Sequence, residues 1–433
     1  MRHILPFLIA LLICAGPGTA AIPVSKLNVE YVRTFAARVA VLAATDKLLF
    51  VSDASWGNGG KSGESRLLVC DRATGEIVHE FKGPFSRRPH VSGFASPLTS
   101  APVLLDDGFV YLDADWHLRR IKLPPAGAQA VEIWNFDIPE STHFTPRLND
   151  DIGYLLPAVT LCEDALLLTF NSAPAGATAP IHTTMIAVNA ADGKPRWVRN
   201  LGPAGPCDRS PTCVPVCVPE GADSFRVITA SGDVQTFSLK GDLMHAFRPS
   251  GEYRPVGKGS PWRGESGNTW ELSRVGKNRL LAFAGHHVES GAEEPLPVSC
   301  IETGGATDVK VLWRTMLPVG SVAAPVAGRN LYFRSARILT ALDPNSGKKL
   351  WSHEEKDDGC GFGFLPPVVH AGVVYFMCED GLRLFHDADE RAEICTVEFP
   401  NLLSTHTPPI IHGDTLYVTE MEKLYAIKLP IIP

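Results

Sequence analysis

One nine-residue sentence is spelled three times in this chain, and repetition on that scale restricts the fold more than any other property. It reads DRATGEIVH from Asp71 to His79, NAADGKPRW from Asn189 to Trp197, and DPNSGKKLW from Asp343 to Trp351. Each copy opens on Asp or Asn and places Gly four residues later, at Gly75, Gly193 and Gly347. Four residues beyond stands Trp197, Trp351 or, in the first copy, His79. This is hairpin chemistry. The first side chain bonds the turn backbone, and Gly accepts a positive φ.

The full unit is longer. A Pro precedes an apolar strand at Pro102, Pro157, Pro215, Pro325, Pro367 and Pro409. A turn follows, then a β-rich strand with an aromatic, as at Tyr111, Tyr332, Tyr375 and Tyr417. A third apolar strand leads into the Asp/Asn…Gly turn, and a fourth carries the Trp; Trp313 holds that place in the fifth unit. Gly372 and Gly413 stand 41 residues apart, the length of a four-stranded propeller blade. Near-uniformly apolar inner strands fit blades covered on both faces. The Trp reads as packing between adjacent blades, worth about 2–3 kcal/mol by area.

Eight units can be counted: 36–83, 95–138, 155–202, 212–250, 259–317, 320–355, 364–399 and 405–430. The last has three strands, and the segment from Val29 to Phe35 is a strand without a unit. The sequence therefore predicts an all-β, eight-bladed propeller of four-stranded antiparallel blades, closed by its N-terminal strand in the last blade. Closure removes the open edges that invite aggregation. The fifth unit is the least regular, which leaves a count of seven blades open.

At this Asp–x–x–x–Gly–x–x–x–Trp unit the chain resembles the PQQ-repeat propellers, the quinoprotein alcohol dehydrogenase-like superfamily, across nearly its whole length. Within it the chain is most similar to the non-catalytic branch, which includes the barrel-assembly propeller lipoprotein of the bacterial outer membrane. The resemblance implies eight blades, but not a function. For a PQQ enzyme it also implies a quinone held between a Trp and a disulfide of adjacent cysteines, a Ca²⁺ on Glu, Asn and Asp oxygens, and a catalytic Asp. The chain has no Cys-Cys pair and no CxxCH. Asp113, Asp115, Glu163 and Asp380 fall between strands and read as solvated turn residues. No catalytic residue, metal site or cofactor is assigned on this basis, PQQ with calcium included.

Other signals are weaker. His286 and His287 are adjacent, so on a strand they face opposite ways. GNGGKSG from Gly57 to Gly63 lacks P-loop spacing and reads as a loop. A formal charge of −7 argues against a nucleic-acid partner. The segment 1–20 has the form of a secretory signal: Arg2 and His3, an apolar run to Cys14, then Thr19-Ala20-Ala21 for cleavage after Ala20. Ile13 is too bulky for a lipoprotein signal at Cys14. No later stretch reads as transmembrane, so a single propeller domain over 21–433, monomeric and extracytoplasmic (periplasm, secretory lumen or exterior), is expected. Outside the cytosol some of the nine cysteines left after cleavage should pair, although no CxxC zinc spacing occurs.

Long connections mark where a partner would bind. Those between second and third strands are long in units 1, 3 and 5, and the inter-blade connections after units 1, 2 and 4 are long as well. Both kinds meet at one rim. Trp56, Arg87, Arg88, Arg147, Trp262, Arg263 and Phe362 stand in such connections and form the expected recognition rim, since Trp and Arg are common interface anchors. A protein-binding or scaffolding module is the expected function. The alternatives are a PQQ-dependent oxidoreductase and a glycan- or polymer-binding propeller.

Overall fold

In the computed structural model the chain builds eight separate sheets, each from strands consecutive in sequence, apart from the N-terminal additions to the last two. The structure describes residues 21–54, 65–82, 101–113, 117–124, 128–138, 158–172, 182–203, 217–229, 232–249, 269–285, 295–305, 307–318, 321–323, 327–335, 338–355, 365–378, 381–399 and 408–431. Blade 1 comprises Arg38–Ala44, Leu48–Ala54, Ser65–Asp71 and Ile77–Lys82. Blade 2 comprises Val103–Leu105, Gly108–Leu112, His117–Lys122 and Val131–Asp137. Blades 3 to 7 repeat this meander, ending on the fourth strands Pro195–Pro203, Leu243–Phe247, Val309–Leu317, Lys349–Glu354 and Glu393–Glu398. The fifth unit is a complete four-stranded blade, so the count is eight rather than seven.

Blade 8 supplies Ile410–His412, Thr415–Glu420 and Lys423–Lys428, and Val29–Thr34 pairs antiparallel with the last of these. The ring thus closes by the N-terminal strand, as the sequence predicts. A second N-terminal strand was not foreseen. Ala21–Pro23 lies parallel to the outer strand of blade 7, with Ala21 opposite Thr396. Among the described residues the only helical piece is a 3-10 turn, Val24–Lys26, between these two strands.

First strands of neighbouring blades lie against each other (8 with 1, 2 with 3, 3 with 4, 4 with 5), so they face the axis and the fourth strands form the perimeter. The core lies between blades. Val110, Leu112 and Leu118 of blade 2 pack with Leu166, Leu168, Phe170 and Ile186 of blade 3. Val39, Val51 and Leu68 of blade 1 pack with Tyr417 and Leu424 of blade 8.

The repeated motif is an inter-blade latch. Trp134 of blade 2 donates its indole N–H to the carbonyl of Ala190 in the blade 3 turn, at 3.1 Å. Trp197 does the same to Leu239 at 2.8 Å, Trp313 to Pro344 at 2.9 Å and Trp351 to Ala388 at 2.9 Å. In three of these the ring covers the turn glycine: a Cβ added to Gly193, Gly241 or Gly347 would lie 2.7, 2.8 and 2.3 Å from the Trp. At Gly193 and Gly347 the glycine is therefore required twice, by a φ near +70° and by the ring of the preceding blade. Asp71 and Asp343 fold their turns by accepting backbone N–H bonds from Thr74 and Ser346, and Asn189 accepts one from Ala191.

Tyr31 takes the Trp position at the seam. It packs on Gly75 and donates to the Arg72 carbonyl at 3.0 Å, joining blade 8 to blade 1. Three interfaces depart from the pattern. Between blades 1 and 2 the register places His79 at the Trp position, and Phe81, two residues on, packs edge-on against Phe109 of blade 2 at 5.5 Å. Between blades 4 and 5 the register places His245 at the Trp position, and fully buried Arg226 bonds the Gly305 carbonyl in the blade 5 turn. Between blades 7 and 8 that place holds Cys395. Blade 8 has no third-to-fourth-strand turn to receive a ring, because its fourth strand is Val29–Thr34, remote in sequence from its third (Lys428 N–H to Asn28 O, 2.9 Å). Val24, Leu27 and Ile431 fill the space beside Cys395.

Cys70, Cys162, Cys217, Cys300 and Cys378 are buried thiols, so the expected pairing is not met at these five. Cys207, Cys213 and Cys360 lie outside the described residues.

Candidate functional site

The two rims of the wheel are built differently. At one, first strands turn into second strands and third into fourth through tight turns. At the other, second strands pass to third strands and each blade passes to the next. Nearly all the internal segments outside the described residues belong to connections of this second rim. Trp56, Arg87, Arg88, Arg147, Trp262, Arg263 and Phe362 all fall among them, as do His286, His287 and Gly57 to Gly63. The described part of this rim is its floor, made by the strand ends.

That floor carries ionisable groups with little or no exposure, on blades 6, 7, 8, 1 and 2. Asp53 is the last but one residue of the second strand of blade 1 and faces Arg66 across the ladder. Arg66 binds it through two nitrogens, Nε to Oδ1 at 3.1 Å, and reaches Glu80 at 3.2 Å. The bond to Asp53 holds the Arg66 guanidinium above its ordinary pKa. Asp113 follows the second strand of blade 2 and is fully buried. It accepts from the His117 N–H at 2.9 Å and from Arg119 Nε at 2.6 Å, and Arg119 also reaches Glu132 at 2.6 Å. Burial pulls Arg119 down, but its two carboxylate partners outweigh it and the pKa is raised. The expectation of a solvated turn at Asp113 is thus corrected: one residue past a buried strand, with an Arg two positions into the next, it is a paired core charge. Glu163 is an exposed turn residue, and Asp115 and Asp380 lie outside the described residues.

In blade 8 Glu420 is buried and accepts the Tyr425 hydroxyl. Burial first, and this bond second, push the Tyr425 pKa up. Between blades 6 and 7 the cluster is larger. Glu355 is met by His353 Nε2 at 2.7 Å, by Arg383 Nε at 2.5 Å and by the Cys378 thiol at 3.2 Å. Arg391 donates to His353 Nδ1 at 3.3 Å, which assigns the ring proton to Nε2. Burial raises the Glu355 carboxyl, yet His353, Cys378 and Arg383 together hold it below its ordinary pKa. Burial pushes the Cys378 thiol well up. Arg334, deep in blade 6, bonds the Met377 carbonyl at 2.5 Å and lies 4.6 Å above the Phe376 ring; burial lowers it to about 10.

These groups were missed in the sequence, where a charge at a strand end looks like a loop charge. The available signal was their phase: Asp113 and Cys378 each stand one residue past a second strand, and Arg119 and Arg383 each stand third in the strand that follows.

Chemically this is a set of closed pairs. The carboxylates Asp53, Asp113, Glu355 and Glu420 are each engaged by Arg, His, Cys or Tyr donors. Among the described residues no group of three His, Cys, Asp or Glu side chains could hold a metal ion. Among the described residues the donor set does not fit the calcium–quinone site that the resemblance implies for an enzyme: its carboxylates are engaged by Arg, His, Cys or Tyr donors, and no two of its thiols are adjacent. What the floor can do is hold strand ends rigid, so that the connections leave from fixed points.

Residues 298–429, from late blade 5 through blade 8, match the family model described as outer membrane protein assembly factor BamB. The structure is similar to that of BamB from Moraxella catarrhalis, with a TM-score of 0.58 at 11% identity, over 93% of this chain and 100% of that one. It is similar to quinohemoprotein alcohol dehydrogenase from Comamonas testosteroni, with a TM-score of 0.58 at 12% identity, over 96% of this chain and 79% of that one. It is also similar to the C-terminal WD40 domain of Sif2, with a TM-score of 0.57 at 9% identity, over 95% of this chain and 100% of that one. No curated protein matches the chain by sequence. These likenesses agree with an eight-bladed β-propeller: the family model matches residues 298–429, and at such identities the structural neighbours speak for the fold alone.

Proposed function

We propose that this chain is an exported, monomeric, single-domain scaffold that binds a protein partner through the rim bearing its long connections. The observation that carries the reading is the division between rims. One rim is latched, blade to blade, by a repeated device, while the other releases long, non-repeating connections from a floor of paired charges. Binding residues are commonly loops held on a rigid frame. Trp56, Arg87, Arg88, Arg147, Trp262, Arg263 and Phe362 are the proposed anchors.

Segment 1–20 acts as a removable export signal in this reading, with one propeller over 21–433. The match of residues 298–429 to a family model named for outer-membrane protein assembly supports a periplasmic, outer-membrane-associated location. Among the described residues no helix is long and apolar enough to cross a membrane.

The test is affinity purification from the native host with wild type and with Trp262→Ala/Arg263→Ala, alongside thermal unfolding. A partner recovered with wild type and lost with a variant that unfolds at the same temperature supports the rim. A variant that retains its partners removes these positions from the interface, and one that unfolds early assigns Trp262 and Arg263 to the fold.

A further inference from the structure

A propeller holds its shape through contacts between neighbouring blades, so an interface without its own fastening is where the wheel loosens first. Five interfaces carry the ring-on-turn latch. Two of the other three are held by residues of the blades themselves: Phe81 on Phe109 between blades 1 and 2, and Arg226 between blades 4 and 5. The interface of blades 7 and 8 is different. Cys395 stands at its Trp position, and blade 8 offers no third-to-fourth-strand turn. What bridges it on the outside is the N-terminal segment, which belongs to neither blade's own meander. Ala21–Pro23 lies along the outer strand of blade 7, Val24–Lys26 makes the 3-10 turn, and Val29–Thr34 becomes the outer strand of blade 8. Ile22, Val24 and Leu27 join the apolar cluster between these blades, with Val397, Tyr425 and Ile427. The chain therefore crosses this interface twice, once directly from blade 7 to blade 8 and once through the N-terminal segment.

The bridge is slight at its blade 7 end. Three residues pair there, and of residues 21–28 only Val24 is buried. Local opening draws on such segments, with few buried contacts and close to a chain end. We propose that Ala21–Leu27 is a releasable clasp across blades 7 and 8. Seated, it shuts the wheel at this interface; released, it lets blades 7 and 8 move apart while the latched interfaces stay closed. Both blades keep their own strands on release. Blade 7 is four-stranded without Ala21–Pro23, and the closing strand Val29–Thr34 keeps its ladder with Lys423–Lys428. Among the described residues no other interface has a substitute that can leave in this way. The clasp lies on the perimeter and does not depend on the rim proposed to bind a partner.

The test uses the mature full chain and its own thiols. Cys395 lies in the blade 7–8 cluster, while Cys70 and Cys300 lie in the latched interfaces of blades 8–1 and 5–6, and each is at most 1% exposed. Labelling is followed site by site by mass spectrometry, with iodoacetamide and with a maleimide on a bulky polymer, in wild type and in Val24→Asp. The expected result is labelling of Cys395 about tenfold faster in the variant with both reagents, and no change at Cys70 and Cys300. Where Val24→Asp does not fold, Val24→Ala is read in the same way. Three outcomes overturn the proposal. An unchanged rate at Cys395 would mean that the segment merely rests on the surface. Equal acceleration of all three thiols would make it a contributor to overall stability only. Faster labelling of Cys395 by iodoacetamide alone would make it a local cover over blades that stay together.

Discussion

The tight-turn rim and the long-connection rim are made by the same chain under different rules. At the tight-turn rim the same contact recurs: a ring from one blade on a glycine of the next, and a ring N–H or O–H on a turn carbonyl. Those partners lie 56, 42, 31, 37 and 41 residues apart, so each bond spans about one blade. At the other rim the strong contacts mostly stay inside a blade, such as Arg66 with Asp53, 13 residues apart, and Arg119 with Asp113, six apart. One rim ties blades together while the other stiffens single blades. The first recurs at five of the eight interfaces. Where it is absent, at blades 1–2, 4–5 and 7–8, other contacts stand in: Phe81 on Phe109, Arg226, and the N-terminal segment with Val24.

This contrast can be broken by mutation. The largest effect is expected for Trp313→Ala, which empties an interface and strands the Pro344 carbonyl; the cost should be about 4 kcal/mol by urea unfolding. Next is Arg119→Met, which leaves the buried Asp113 carboxylate without its guanidinium, at about 3 kcal/mol. If Arg119→Met costs more than Trp313→Ala, the long-connection rim carries more of the stability than the latch picture allows. Tyr31→Phe keeps the ring on Gly75 but loses the bond to Arg72 O, and should cost about 1 kcal/mol. The same substitution at Tyr111, which makes no latch, should leave the seam intact.

The smallest effect concerns pH. The Glu355 carboxyl is held below its ordinary value in the folded chain. A lowered carboxylate contributes stability above the unfolded pKa, near 4.3 for Glu, and that contribution fades as pH falls through the folded value. Acid titration of Glu355→Gln should therefore show a shallower loss of stability below about pH 4 than wild type. Parallel curves would mean that Glu355 titrates as it does in the unfolded chain.

How much of this was legible follows from the range of each interaction. The Asp/Asn…Gly turns at Asp71, Asn189 and Asp343 are local, and a four-residue spacing reports them directly. The eight-unit count and the closing strand at Val29–Thr34 follow from those turns and from apolar strand patterning, and even the place of Trp between blades could be read from its phase. Which turn receives each ring could not, because the partner lies one blade away and turns that look alike compete for it. Tyr31 as a surrogate Trp and the fifth strand at Ala21–Pro23 had no local signature.

The sequence alone determined the repeat, its four-stranded unit and where the long connections fall along the chain, because these depend on turn chemistry and periodicity within a few residues. Only the tertiary structure decided that the blades number eight, which charges are buried and what replaces the latch where it is absent. Burial and edge exposure are properties of neighbours in space, and closing the ring sets beside each strand residues that are remote along the chain.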